Sequence, residues 1–253
     1  MNFNDDMEKK TFLEHFTELR SRLIQIILIY IAAFCISYYF AEELYFFAAK
    51  PLIEILGSQT RFIYTGLTEA FFTYLNLAAK SAFIMILPVI IFHLYKFIAP
   101  GLYKQEKSMF RFLAISSPIL FILGILFVYN FVMPKAFEFL LAFQQNGGAG
   151  EYSLNLEAKI NEYISLFTSL LLSFGIAFQL PIFILLLVFM NIIKAENLSK
   201  NRRFAIIFIF IIAGIITPPD VMSQLFLAFP LMGLYEITII IAKRMELRRK
   251  NYA

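Results

Sequence analysis

The stretch Tyr163-Ile-Ser-Leu-Phe-Thr-Ser-Leu-Leu-Leu-Ser-Phe-Gly-Ile-Ala-Phe-Gln-Leu-Pro-Ile-Phe-Ile-Leu-Leu-Leu-Val-Phe-Met190 decides the fold, because its 28 residues include no charged side chain. A helix of this length would measure about 42 Å, which exceeds the roughly 30 Å of hydrocarbon in a bilayer. The stretch therefore predicts a membrane-spanning helix. Pro181 lies inside it and predicts a bend, since proline removes an intrahelical hydrogen bond.

The composition agrees with a membrane protein. Of the 253 residues, 60% are hydrophobic and only 16% are charged, which leaves too little polar surface to cover a soluble globule. No linker rich in glycine, serine or proline separates two folding units, so residues 1–253 are predicted to form a single domain. Closed barrels show alternating segments of about ten residues, which this sequence lacks. The predicted class is an all-α polytopic membrane protein.

Apolar runs of spanning length recur along the whole chain. Six spans are predicted, at residues 23–40, 71–97, 112–133, 163–190, 204–217 and 221–242. An even number of spans places both termini on one side of the membrane. The fifth run covers only about 21 Å, so it must thin the bilayer or be sheltered by neighbouring helices. Proline residues inside four different spans predict bent helices and a concave bundle; they are Pro88, Pro118, Pro181 and Pro230.

Lysine and arginine residues indicate which side the termini occupy. Seventeen of them flank the spans on the side of both termini, whereas four lie on the opposite side and Lys80 lies within the second span. Short cytoplasmic segments carry the excess of positive charge, so both termini are predicted to be cytoplasmic. The net charge of +4 then orients the chain against anionic lipid, and no nucleic-acid partner is expected.

Polar side chains inside predicted spans include Gln179, Glu236 and Lys80, and their burial is costly unless they are paired or face water. Gln179 either bonds a carbonyl freed by Pro181 or contacts a partner helix. Glu236 lies six residues from the end of its span and can reach the interface, and Lys80 can partly snorkel. The only cysteine, Cys35, lies in the first span, where packing is its expected role.

Enzymatic and cofactor chemistry is not indicated. The only histidines are His15 and His93, and no His-Glu-x-x-His, Gly-x-Ser-x-Gly or phosphate-cradling Gly-x-x-x-x-Gly-Lys pattern occurs. His93 is expected to form a structural hydrogen bond. Neither a catalytic residue, a metal site nor a cofactor is predicted. A secondary solute or ion transporter using Glu236 and Lys80 is the alternative from another functional class, although no internal repeat supports it.

Two carboxylates in basic segments define the candidate site. Glu18 lies in Glu18-Leu-Arg-Ser-Arg-Leu23 ahead of the first span, and Glu106 follows Phe97-Ile-Ala-Pro-Gly-Leu-Tyr103 after the second. Both are predicted on the cytoplasmic face. These two strings, together with Thr217-Pro-Pro-Asp220 before the last span, resemble the TatC family, the large subunit of the twin-arginine protein translocase. Three strings in this order on a six-span chain make the resemblance specific, and it covers nearly the whole chain.

The resemblance implies a receptor for twin-arginine precursor proteins in the bacterial cytoplasmic (inner) membrane. Such a protein assembles with single-span TatA/TatB-like subunits, forms a homo-oligomer within the complex, and exports folded proteins using the proton motive force. The signal-peptide-binding positions implied here are Glu18, Arg20, Phe97, Pro100 and Glu106. A carboxylate pairs with a guanidinium in a bidentate geometry, so two consecutive arginines need two separated acids.

Each of these residues also has a purely structural interpretation. Glu18 can form an i,i+4 pair with Arg22, and Glu106 can be a solvated charge beside Lys104 and Lys107. Arg20 and Arg22 would repel incoming arginines unless they turn towards lipid phosphate or are neutralised by Glu18 and Glu14. Phosphate contact is favoured for Arg22, and Arg20 is left open because it matches a family position.

The remaining expectations concern the last two spans and one departure from the family. Gln179 stands where TatC-like proteins often have glutamate, so a role that needs ionisation is in doubt, while partner docking by Gln179 or Glu236 remains a hypothesis. The turn before the last span comprises Pro218, Pro219 and Asp220, and Asp220 is expected to cap the following helix.

Overall fold

The structure is a computed structural model that describes residues 12–57, 62–98, 107–142, 158–216 and 221–252. In chain order the helices are α1 (Phe12–Tyr39), α2 (Ala41–Leu56), α3 (Glu69–Ile98), α4 (Lys107–Phe127), α5 (Met133–Leu141), α6 (Ile160–Ala177), α7 (Leu180–Phe189), α8 (Ala195–Lys200), α9 (Arg202–Ile216) and α10 (Val221–Tyr252). A π-helical turn, Val128–Val132, joins α4 to α5. Two two-residue strands, β1 (Phe62–Ile63) and β2 (Ala158–Lys159), pair in parallel. The predicted all-α class is confirmed, and this short pair is an addition to it.

Within the part of the chain that the structure describes, five helical segments are long and apolar enough to cross a membrane. They are Phe16–Tyr39, Glu69–Leu94, Phe112–Phe139, Ile160–Phe189 and Gln224–Leu247. Each contains most of one predicted span. The fifth predicted run is helical as α9, whose 15 residues measure about 22 Å, so its crossing of the membrane stays a prediction.

Several element boundaries differ from those predicted. The helix α1 begins at Phe12, so the segment ahead of the first span continues without a break into that span. The connection after it contains a further helix, α2, which was not predicted. At the other end, α10 runs ten residues beyond the predicted limit of the last span, to Tyr252. The charged tail consists largely of lysine, arginine, glutamate and leucine residues, which favour helix. The apolar run therefore ends at residue 242, but the helix continues.

The segment formed by α6 and α7, named the central segment, is the most buried of the five and occupies the centre of the bundle. It packs against α3, α4 and α10. Leu170, Phe174 and Leu185 are almost fully buried there. Pro181 follows the interruption between the two helices at Phe178 and Gln179, as the sequence predicts. The helices that contain Pro88, Pro118 and Pro230 are not interrupted at those residues.

Two glycines allow α4 and α6 to approach closely. A Cβ atom on Gly124 would lie 2.8 Å from the carbonyl oxygen of Phe174 and 2.9 Å from Cγ of Phe178. A Cβ atom on Gly175 would lie 2.5 Å from the ring of Phe121, which is itself buried. Small residues at helix interfaces permit such packing in membrane proteins. The contact between α4 and the central segment therefore depends on these two glycines.

An aromatic cluster joins α2 to the central segment. The Tyr163 hydroxyl donates a hydrogen bond of 2.6 Å to the Ala48 carbonyl oxygen, and the rings of Phe47 and Tyr129 stack with centroids 4.6 Å apart. The helix α2 lies outside the five candidate spans, so these contacts fix the connection between α1 and α3 to the side of the bundle.

Cys35 is exposed on α1, so the expected packing role for it is wrong: α1 contributes few side chains to the core.

Candidate functional site

The predicted site residues fall into described and undescribed parts of the chain. Glu18 and Arg20 lie in α1, and Phe97 lies in the last turn of α3, where its side chain is outside the described set. Pro100 and Glu106 also lie outside the described residues, as do Pro218, Pro219 and Asp220. The helix α10 begins at Val221, directly after Asp220.

A partly buried ion pair lies where α1 meets the end of α3. Glu18 Oε1 binds Arg22 Nη2, and Arg22 Nη1 donates a hydrogen bond of 3.2 Å to the His93 carbonyl oxygen. The side chains of Arg22 and Glu18 are only 11% and 21% exposed. His93 is four residues, about one helical turn, before Phe97. The carboxylate of Glu18 is thus held beside the end of α3, from which the segment carrying Glu106 continues.

This geometry settles the structural interpretations of two residues. The i,i+4 pair between Glu18 and Arg22 is present, which confirms the structural interpretation of Glu18. The favoured phosphate contact for Arg22 is wrong, because its guanidinium is turned inward between two helices and is almost covered. A carboxylate one turn earlier and a carbonyl on α3 together supply the acceptors that draw it there. Arg20, by contrast, is exposed.

Gln179 joins the central segment to α4 through two hydrogen bonds. Its Oε1 accepts a hydrogen bond from the Ser117 hydroxyl, and its Nε2 donates one of 3.1 Å to the Ser117 carbonyl oxygen. The expected bond to a carbonyl freed by Pro181 is therefore wrong. Sequence reasoning missed the partner because Ser117 is 62 residues away and lies on another helix. The half-buried amide joins two helices of the same chain. These contacts do not test whether Gln179 also docks a partner subunit.

Glu236 forms a two-pronged ion pair with the first residue of α9. Its two carboxylate oxygens lie 2.9 Å from Nε and 2.9 Å from Nη2 of Arg202. Both side chains are about half exposed, so the pair fixes geometry more than it adds stability. Nothing in the local sequence predicts this pair, since 34 residues separate the partners.

The connection between α7 and α9 is also held by α10. The Tyr235 hydroxyl donates a hydrogen bond of 3.0 Å to the Leu198 carbonyl oxygen, and Glu246 Oε1 accepts one of 2.7 Å from the Ala195 N–H at the start of α8. A carboxylate is favourable at a helix N-terminus. On the exposed face of α8, hydrogen bonding to Glu196 and the charge of that residue raise the pKa of Lys200.

The transporter alternative uses Glu236 and Lys80, and these two side chains have different partners. Glu236 pairs with Arg202, whereas the Lys80 ammonium donates a hydrogen bond of 3.3 Å to the Ser165 hydroxyl. Among the described residues, no group of three histidine, cysteine, aspartate or glutamate side chains is placed to hold a metal ion.

Comparisons with known proteins give a consistent result. The sequence profile of the family described as Sec-independent protein translocase protein (TatC) matches residues 14–230. A Sec-independent protein translocase protein TatC from Rickettsia prowazekii (strain Madrid E) is 48% identical over 244 residues, covering 96% of this chain and 96% of the relative. The protein of the same description from Escherichia coli (strain K12) is 34% identical over 236 residues, covering 93% and 89%.

Solved structures show the same likeness. A crystal structure described as the twin arginine translocase receptor TatC in DDM superposes with a TM-score of 0.74 at 35% sequence identity. The match covers 90% of this chain and 99% of that one. The similarity therefore extends over almost the whole length of both proteins.

Proposed function

The chain belongs to the TatC family of Sec-independent protein translocase proteins, and on this premise we propose that it is the receptor that binds Arg-Arg signal peptides. As a member of that family it is a non-enzymatic membrane subunit of a translocase. The signal peptide would be bound through Glu18 and Glu106, with Arg20, Phe97 and Pro100 around them. The cytoplasmic end of the bundle would be the receptor surface.

The observation that carries this proposal is the Glu18–Arg22 pair. A carboxylate beside the end of α3 already holds a guanidinium in a partly buried setting. Such a setting strengthens a charge-assisted hydrogen bond relative to bulk water. Glu18 is therefore in surroundings that suit an arginine, and an incoming arginine would share or replace the position of Arg22.

The second arginine would need a second acid. Glu106 lies eight residues beyond Ile98, the last residue of α3, and follows the segment that resembles the family motif. Glu18 and Glu106 would approach the signal peptide from two directions, so that each carboxylate could pair with one of the two arginines. A guanidinium fork suits bidentate recognition by a carboxylate. Phe97 would provide an apolar contact beside them.

Assembly and topology complete the proposed function. We place the chain in the bacterial cytoplasmic membrane with six spans and both termini in the cytoplasm. There it would form a homo-oligomer with single-span TatA/TatB-like subunits and use the proton motive force to export folded proteins. The positive charges on the side of the termini support this orientation, and the short α9 would cross a locally thinned bilayer.

Binding of a signal peptide tests the receptor function directly. The full chain, purified in detergent, is expected to bind a labelled Arg-Arg signal peptide at least about tenfold more tightly than the same peptide with Lys-Lys, because ammonium groups lack the planar fork. Fluorescence anisotropy at fixed salt measures both affinities. Equal affinity for the two peptides would contradict a site built on bidentate recognition.

Gln179 allows a test of partner docking. We expect Gln179→Leu to weaken site-specific crosslinking to a single-span TatA/TatB-like subunit, because an amide that can contact a partner helix is lost. Ser117→Ala is the matched control, since it removes the hydroxyl bonded to Gln179 but leaves the amide in place. If both variants crosslink as the unmodified chain does, Gln179 serves only to join α4 to the central segment.

A further inference from the structure

Lys80 places a positive charge deep in the apolar part of the bundle. It lies on α3, 11 residues after Glu69 and 14 before Leu94, within a segment long and apolar enough to span the membrane. Eleven residues correspond to about 16 Å along a helix, roughly half of the hydrocarbon thickness. The side chain is half-buried. An ionisable group at this depth is costly and calls for a partner.

A cavity of about 270 Å³ adjoins this lysine. It lies between α1, α3 and α6 and is partly open to the outside of the bundle. Its lining includes Tyr30, Lys80, Phe83, Thr168, Ser169 and Leu172. The hydroxyl protons of Tyr30 and Thr168 are donated to backbone carbonyl oxygens, of Ala79 at 3.3 Å and Ile164 at 2.7 Å. Lys80 is therefore the cationic donor of the cavity.

Among the described residues, the partner of Lys80 is a neutral group. Its ammonium donates to the Ser165 hydroxyl at 3.3 Å, and within the described part of the chain no carboxylate oxygen lies within 4.0 Å of it. A neutral hydroxyl offsets little of the cost of burying a charge, whereas a carboxylate in low dielectric offsets much more. The cavity is thus complementary to a negative charge.

We propose that this cavity binds a carboxylate carried by the membrane-spanning helix of a partner subunit. A lipid phosphate stays in the interfacial layer, but a glutamate or aspartate on a spanning helix can be placed at the depth of Lys80. The rim is suited to such a helix. Phe83 is 39% exposed at the cavity, and Ile27, one turn before Tyr30 on α1, is 49% exposed. This proposal rests on the assembly with single-span subunits proposed above, but not on signal-peptide recognition by Glu18 and Glu106.

The test uses a synthetic spanning helix as the probe. The full chain is reconstituted in phosphatidylcholine vesicles with a leucine-rich single-span peptide that carries one glutamate at the depth of Lys80. Energy transfer between fluorophores on the two proteins measures association. The glutamate peptide is expected to associate about tenfold more strongly than the same peptide with glutamine, the range seen for interhelical polar contacts in membranes.

Variants of the chain locate the contact. Lys80→Met keeps the length of the side chain and is expected to abolish the preference for glutamate, whereas Lys159→Gln, which removes a surface lysine near Glu162, is expected to preserve it. Lys80→Glu with a lysine-bearing peptide is expected to restore association. This exchange tests the site even if Lys80→Met does not fold.

Three results would overturn the proposal. One is equal association of the glutamate and glutamine peptides, and another is a preference for glutamate that survives Lys80→Met. The third is competition by lipid: phosphatidylglycerol that displaces the peptide, and is retained by the purified chain only when Lys80 is present, would assign the cavity to a lipid phosphate.

Discussion

Glu106→Lys is expected to abolish binding of an Arg-Arg signal peptide to this protein. The substitution removes the proposed second carboxylate and places an ammonium group where a guanidinium has to dock. Losing a charge-assisted pair and adding like-charge repulsion in a partly desolvated site together cost several kcal/mol, or at least about a hundredfold in affinity. Fluorescence anisotropy with the purified full chain measures the loss.

The control for this charge reversal is Glu196→Lys. Glu196 is an exposed acid on α8, predicted on the same face of the membrane, and it pairs with Lys200 at 2.8 Å. Its reversal changes net charge equally, so a general electrostatic effect would weaken binding in both variants. Size-exclusion chromatography verifies that both proteins fold. If Glu106→Lys bound the peptide with unchanged affinity, Glu106 would have no place in the site.

Glu106 is a cleaner test than Glu18. Removing the Glu18 carboxylate would leave Arg22, which is 11% exposed, with one fewer acceptor for a nearly buried charge. Such a change destabilises the contact between α1 and α3, apart from any effect on a peptide. A weaker peptide affinity in Glu18→Gln would therefore have two causes, which Arg22→Gln with Glu18 intact can separate.

Gly124→Leu is expected to prevent normal folding of the bundle. Even the first added carbon would lie 2.8 Å from the backbone oxygen of Phe174, and the rest of the leucine side chain would meet Phe178. A backbone atom of a central helix cannot move aside as a flexible side chain can. Overpacking of a core typically costs about 1–3 kcal/mol and sometimes more, so Gly124→Ala should lower stability and the larger Gly124→Leu should reduce the yield of monodisperse protein.

Gly233 provides the matched control for this prediction. It lies inside α10, and a Cβ atom added there would meet nothing within 4 Å. Gly233→Ala is therefore expected to leave the melting midpoint unchanged or slightly raised, because alanine favours helix over glycine. Thermal unfolding followed by size-exclusion chromatography compares the variants. Equal midpoints for Gly124→Ala and Gly233→Ala would show that α4 can separate from α6 without cost.

Much of the fold was accessible from the order of the residues. Long apolar runs predict spanning helices because the requirement is local: enough consecutive apolar residues to cross the hydrocarbon. The short motifs around Glu18 and Glu106 likewise led to the TatC family, which the comparisons confirm. The helix α2 was missed because its acidic start interrupts the apolar pattern that was used to find spans.

The polar contacts were harder to predict. For Glu18 the sequence offered Arg22 four residues away, and the structure contains that pair. For Arg22, Gln179 and Glu236 the decisive partners are His93, Ser117 and Arg202, which lie on other helices. A local pattern has no information about which of many distant donors and acceptors will face a given side chain.

The sequence by itself determined the class of the protein, the apolar segments long enough to cross a membrane and the family, since each depends on consecutive residues. Only the tertiary structure decided which polar groups are already paired, how closely α4 approaches α6, and that Lys80 lies beside a cavity whose described lining residues include no carboxylate. The physical reason is that pairing and packing depend on distances between helices. Those distances follow from the simultaneous fit of all the side chains in the core.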